Sequence, residues 1–186
     1  MSGRLLLLVV TFAACLLSGC APVVFTAGAG AGYVATKEKP RSAIESFFDD
    51  LGKSIRQTTR RLTGASKSTQ AAVPGYKGGL ALSIKRSTLA PTEVYKGEQV
   101  TLTLQYIVLG APAAGVQVRE RSALSKDGKE LTVLKDESSQ KENGTWENTL
   151  SFAVPNSAKP GKYTVTLQIS TQGQSRTTRR TFTVLR

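Results

Sequence analysis

Val100-Thr101-Leu102-Thr103-Leu104-Gln105-Tyr106-Ile107-Val108 alternates apolar and polar side chains almost without a break. Successive side chains of a strand leave opposite faces, so this register places Val100, Leu102, Leu104, Tyr106 and Val108 on one buried face. Thr101, Thr103 and Gln105 fall on the other. A period of two is the signature of a half-buried strand and is incompatible with the 3.6-residue repeat of a helix.

The same alternation extends to both sides. Upstream stand Leu80, Leu82 and Ile84; downstream follow Val116 and Val118, a shorter piece at Leu131 and Val133, then Trp146, Leu150, Phe152 and Val154. Tyr163, Val165, Leu167 and Ile169 form a sixth run, and Phe182 and Val184 close a seventh. Turn chemistry separates them: Asp127-Gly128, Asn143-Gly144 and Lys159-Pro160-Gly161 supply residues suited to tight reversals. Short strands at this spacing over residues 80–186 predict a mainly β chain whose C-terminal part is a seven-stranded antiparallel sandwich of immunoglobulin or fibronectin type. A chain of 186 residues with 40% hydrophobic residues has room for one such domain and accessory segments.

Lys159-Pro160-Gly161-Lys162-Tyr163-Thr164-Val165 resembles the Pro-Gly-x-Tyr entry to the penultimate strand of bacterial Ig-like domains. The resemblance puts Tyr163 in the place of the tyrosine corner, two residues before the position where antibody domains carry a cysteine. Here that position is Val165, and the single tryptophan, Trp146, falls in the fifth run rather than the third. The resemblance is therefore to the looser Ig-like class.

Before the sandwich the period changes. Ile44, Phe47, Phe48, Leu51, Ile55 and Leu62 recur at spacings of three, four and seven, Ser42-Ala43-Ile44-Glu45 fits a capping box, and Gly64 suits a stop. The spacing predicts one amphipathic helix within residues 40–63, followed by a Ser/Thr/Gly/Lys-rich linker over 64–79. Lys53, Arg56, Arg60, Arg61 and Lys67 would then resemble the basic face of an interfacial helix and form a candidate contact with an anionic surface. Three uses of the apolar stripe stay open: packing on the β-domain, lying on a membrane, or pairing with another protein.

At the N-terminus, Arg4 precedes an apolar run from Leu5 to Leu17 that is shorter than the roughly 20 residues of a membrane-spanning helix. Such a run followed by small residues is the pattern of a secretory signal peptide. Leu17-Ser18-Gly19-Cys20 resembles the bacterial lipobox. That resemblance implies a signal peptide over 1–19, cleavage between Gly19 and Cys20, and acylation of Cys20. Ala21 after the cysteine implies the outer membrane under the enterobacterial sorting pattern. The competing reading is an uncleaved membrane anchor, which the Ala/Gly run at residues 27–32 weakens as a helix. Residues 20–39 then read as a lipid-anchored Gly/Ala-rich segment, either a spacer or a small-residue contact face.

Catalytic chemistry is poorly provided for. There is no histidine, and Cys15 would leave with the signal peptide, so Cys20 would be the one remaining thiol. His-based triads and His/Cys zinc sets are excluded. Asp136, Glu137, Glu142 and Glu147 gather near one loop, but Lys135 and Lys141 stand among them and the order of a calcium loop is missing. A solvated loop is the expectation there. Arg176, Arg179, Arg180 and Arg186 along the last run suit the protection of a sheet edge. Net charge is +12, falling to +11 when Arg4 is removed with the leader, and favours anionic partners in general. The sequence thus leads to a non-enzymatic, cofactor-free envelope lipoprotein, held at the membrane by Cys20 and presenting an Ig-like structural or protein-interaction module. A binding module for anionic glycan, lipopolysaccharide or an extended peptide is the alternative. Nucleic acid is not an expected partner, and oligomeric state is undetermined.

Overall fold

The computed structural model describes residues 42–64 and 66–186. The expected signal peptide, the Gly/Ala-rich segment at 20–39, and Gly19 and Cys20 lie outside the described residues. Two sheets pack face to face. One has the order β1-β7-β4-β2, made of β1 (Arg56–Gly64), β7 (Gly144–Ala153), β4 (Gln99–Leu109) and β2 (Ala81–Ala90). The other has the order β3-β9-β8-β5-β6, made of β3 (Glu93–Val94), β9 (Gln174–Val184), β8 (Gly161–Thr171), β5 (Val116–Lys126) and β6 (Lys129–Lys141).

The seven expected runs are β2, β4, β5, β6, β7, β8 and β9. Their alternation decides the core: Leu82, Val100, Leu102, Leu104, Tyr106, Val108, Leu150, Phe152, Val165, Leu167, Ile169 and Phe182 are all buried in it. Asp127 and Gly128 both take positive φ, 50° and 77°, as the two-residue reversal between β5 and β6 requires. Strand order matches the immunoglobulin plan, with β2, β4 and β7 in the places of A, B and E, and β5, β8 and β9 in those of C, F and G. The tyrosine corner is formed as well, Tyr163 Oη donating to the Lys159 carbonyl at 2.8 Å.

The expected helix over 40–63 is corrected. Helix α1 spans Ala43–Ser54, and its start follows the sequence: Ser42 Oγ accepts from Glu45 N at 3.2 Å, while Glu45 returns the bond to Ser42 N. Ile55 then turns to an extended conformation (φ −63°, ψ 127°), and Arg56–Gly64 pairs antiparallel with β7. This segment occupies the D position of the immunoglobulin plan. The misreading has a physical origin. No apolar residue lies between Ile55 and Leu62, so the six intervening residues carry no period, whereas Thr58, Thr59 and Thr63 favour extended backbone.

The expected linker at 64–79 is also more structured than foreseen, since Ser66 caps a short helix α2, Lys67–Ala71. Helix α1 belongs to the sandwich, with Leu51 fully buried and Phe47 and Ile55 packed against the core. Ser54 Oγ accepts from Ala153 N at 3.0 Å, pinning the end of α1 to the end of β7. Burial of Leu51 alone contributes on the order of 2 kcal/mol. Among the described residues no helix is long and apolar enough to cross a membrane.

Candidate functional site

An ion cluster lies between the sheets where β1 meets β6. Continuing the β5 alternation from Val118 places Glu120 on the inner face, where its side chain is only 5% exposed. A bare carboxylate there would cost several kcal/mol, so each oxygen must find donors. Oε2 accepts from Lys135 Nζ at 2.6 Å, Asn148 Nδ2 at 2.9 Å and Thr59 Oγ1 at 3.1 Å. Oε1 accepts from Tyr106 Oη at 2.5 Å and has Lys141 Nζ at 3.8 Å. The Thr59 hydroxyl also accepts from Lys135 at 2.9 Å and from Asn148 at 3.0 Å, which uses its full bonding capacity.

Five strands thereby converge on one carboxylate: β5 with Glu120, β6 with both lysines, β4 with Tyr106, β7 with Asn148 and β1 with Thr59. Burial pushes the Glu120 carboxyl up, but bonds from Lys135 and Tyr106 and the charges of the two lysines outweigh it and hold the group below its ordinary value. Burial and the adjacent carboxylate drive the Tyr106 hydroxyl far above its ordinary range. Burial lowers Lys141, against the pull of Glu120. The Lys141 ammonium also sits 4.5 Å from the centre of the Trp146 ring, and Lys135 has a second carboxylate, half-exposed Glu137, at 3.6 Å. Sealed in this way, the cluster holds five strands together.

The basic residues singled out in the sequence do not make one face. Lys53 pairs with Asp49 on α1 at 2.7 Å, and Arg56 bonds the carbonyls of Lys53 and Ile55. Arg60 bonds Glu147 on β7 at 2.7 Å, and Arg61 bonds Glu142, in the turn between β6 and β7, at 2.6 Å. Lys67 is exposed on α2. The interfacial basic helix is thus corrected: Arg56, Arg60 and Arg61 are strand residues, and the two last are engaged with carboxylates. These pairs are exposed, so each is worth about 0–1 kcal/mol.

The acidic residues find cationic partners rather than a solvated loop. Asp136 is bound by Arg119 through two bonds of 2.6 Å, which hold its carboxyl below the usual range. Lys135 and Lys141, expected among solvated charges, are buried. Among the described residues no group of three or more carboxylate, Cys or His ligands converges as a metal site would require. On β9, Arg180 donates through Nε and Nη2 to the Ser87 carbonyl at 3.0 and 2.8 Å, linking the two sheets. The signal for Glu120 was present in the β5 alternation, but a strand pattern does not say which cations meet it.

A second feature is a cleft of about 520 Å³ beside β2, bordered by the segment 73–78 and by Gln174 and Arg176. Lys77 and Arg176 line it, no carboxylate does, and the Gln174 amide satisfies Leu82 N and Leu80 O as a neighbouring peptide would.

No protein-family model matches the sequence, and no curated protein matches it. Among solved structures, the CARDB domain of the PF1109 protein from Pyrococcus furiosus, in complex with di-metal ions, is similar at 12% identity and a TM-score of 0.44, over 59% of this chain and 96% of that one. The alkylpurine DNA glycosylase AlkC of Pseudomonas fluorescens is similar at 14% identity and a TM-score of 0.41, over 56% of this chain and 30% of that one. A β-glucosidase from Listeria innocua is similar at 11% identity and a TM-score of 0.41, the chain spanning 16% of its length. Likenesses this distant carry no argument about chemistry.

Proposed function

We propose that this protein is a non-enzymatic cell-envelope lipoprotein of bacterial type, anchored through acylated Cys20 in the outer membrane, with its sandwich acting as a structural or protein-interaction module. The observation that carries the reading is Leu17-Ser18-Gly19-Cys20 directly after a short apolar run. At about 0.8 kcal/mol per buried CH₂, two or more acyl chains on one residue anchor permanently, whereas one holds only reversibly. Support comes also from the buried ionisable groups, whose partners all serve the packing of strands. The test is growth with labelled fatty acid, with and without globomycin, alongside Cys20→Ala. Label on the parent and its loss in Cys20→Ala are expected; an unlabelled parent, bound to membrane at precursor size, overturns the reading.

The cleft beside β2 favours a second reading, a module that binds an anionic glycan or an acidic extended peptide. Lys77 and Arg176 would supply the charge. Salt-dependent retention of the full chain on an acidic polymer, lost in Arg176→Glu, is the expected result; retention unchanged by that substitution excludes the cleft.

A further inference from the structure

Two acid-free stretches of the sequence meet on one flank of the sandwich. No Asp or Glu occurs in residues 51–92 or 148–186, and these stretches supply β2 and β9, which side-chain bonds join along their length. Lys77, Lys85, Arg86, Arg176 and Arg179 are exposed on the elements of this flank. Among the described residues the ion pairs lie elsewhere, on α1, β1, β5, β6 and β7 and the turns beside them. The flank is also the free edge of a sheet, since β2 is the outermost strand and pairs with β4. Side chains stand there in place of a further strand. Gln174 Nε2 donates to Leu80 O at 2.6 Å and its Oε1 accepts from Leu82 N at 3.0 Å, the groups on either side of Ala81 that one residue of a neighbouring parallel strand would use. Further along, Arg180 bonds Ser87 O, and the cleft of about 520 Å³ opens beside residues 80–83 at the Gln174 end.

We propose that this flank takes an acidic peptide in extended form, added to the free edge of β2 in place of the Gln174 amide. The inference rests on the reading of the cleft as a site for an anionic ligand, and it names the ligand and its mode of binding. Three observations select a peptide. The Gln174 amide is chemically a peptide group, so the edge already bonds the chemistry that an added strand repeats along its length. A glycan carries no such alternation of N–H and C=O groups at about 3.3 Å per residue. The charge of Lys77 and Arg176 in the cleft, with Lys85 and Arg86 further along β2, asks for carboxylate side chains on the incoming strand. A second copy of this chain is the wrong partner, because pairing β2 with its own copy would bring Lys85 and Arg86 against like charges. Gln174 then has a definite part, a competitor within the chain that keeps the edge satisfied until the ligand displaces it.

The test titrates the full-length chain into a fluorescein-labelled octapeptide of alternating Thr and Glu, read by anisotropy at low and high salt. A counterpart methylated at every backbone nitrogen keeps the charges and loses the N–H donors, and labelled polygalacturonate supplies a carboxylate glycan. Salt-sensitive binding of the peptide, weakened about tenfold or more by methylation, is expected, since one hydrogen bond is worth up to about a factor of ten. Gln174→Ala removes the competitor and should tighten peptide binding several-fold while leaving polygalacturonate unchanged. Equal binding of the two peptides, no gain in Gln174→Ala, or binding of polygalacturonate alone overturns strand addition and leaves the anionic cleft standing. Failure of both peptide and polygalacturonate to bind overturns the cleft and strand addition together.

Discussion

Thr59 and Glu120 are 61 positions apart in the chain and bonded at 3.1 Å, the first on a strand with hardly any buried side chain, the second on an inner strand. That bond ties the edge strand β1 to the interior. Burial alone would not hold β1, because eight of its nine residues are exposed. Its attachment rests on backbone pairing with β7, on arginine–carboxylate pairs at the rim, and on the Thr59 hydroxyl reaching the buried cluster. Gly144 allows the last contact of the ladder: a Cβ there would stand 2.2 Å from the Thr63 carbonyl.

Removing the central carboxylate is the most damaging change predicted. Glu120→Ala takes the nearest counter-charge from two buried ammonium groups and leaves only half-exposed Glu137, 3.6 Å from Lys135, at a cost of about 3–5 kcal/mol. Chemical denaturation of the parent and the variant at neutral pH measures the difference, and a loss below about 1 kcal/mol contradicts the assigned role.

The two lysines are predicted to differ. Lys135 bonds Glu120 at 2.6 Å, whereas Lys141 lies at 3.8 Å and is lowered by burial. Lys135→Met therefore strands Glu120 and destabilises by about 3–5 kcal/mol, while Lys141→Met leaves a balanced pair and changes stability by less than about 1 kcal/mol, in either direction. Equal losses from the two substitutions would be incompatible with this geometry.

A pH dependence follows from the same group. The folded Glu120 carboxyl titrates below its unfolded value of about 4.3, so its stabilisation is complete above that pH and disappears as pH falls through the folded value. Lys141 acts at the other extreme: its folded value is lowered, so stability rises as pH climbs from that value towards about 10.4. Denaturation midpoints across the acid range should fall less steeply in Glu120→Gln than in the parent, and parallel profiles would remove Glu120 from the account.

The tyrosine corner yields a smaller effect. Tyr163→Phe keeps the ring on Phe182, whose centroid is 5.4 Å away, and removes only the bond to Lys159, so the cost is about 0.5–1.5 kcal/mol. Thermal unfolding of the variant checks this.

Deleting residues before position 80 tests whether the N-terminal elements belong to the domain. The shortened chain loses Leu51 from the core and Thr59 from the cluster and leaves the edge of β7 unpaired. It should lose the cooperative transition shown by the full chain, and Leu51→Ala in the full chain should cost about 2–5 kcal/mol. A fragment starting at residue 80 that melts like the parent refutes the assignment.

The period-two runs, the Asp127-Gly128 reversal, the Ser42 capping box and the Tyr163 corner were determined by the sequence itself, because alternation, positive φ and capping are set by neighbours along the chain. Three things were decided only by the tertiary structure. Residues 56–64 became a strand because β7 offered an unpaired edge, and an exposed edge strand needs no apolar period to announce it. Glu120 became the centre of a cluster because two sheets brought five strands around it, a convergence of distant residues that no local pattern encodes. Helix α1 turned Leu51 and Phe47 inward and left Ile44 and Phe48 outside because the sandwich meets one side of the helix, and a helical period marks apolar positions without saying what covers them.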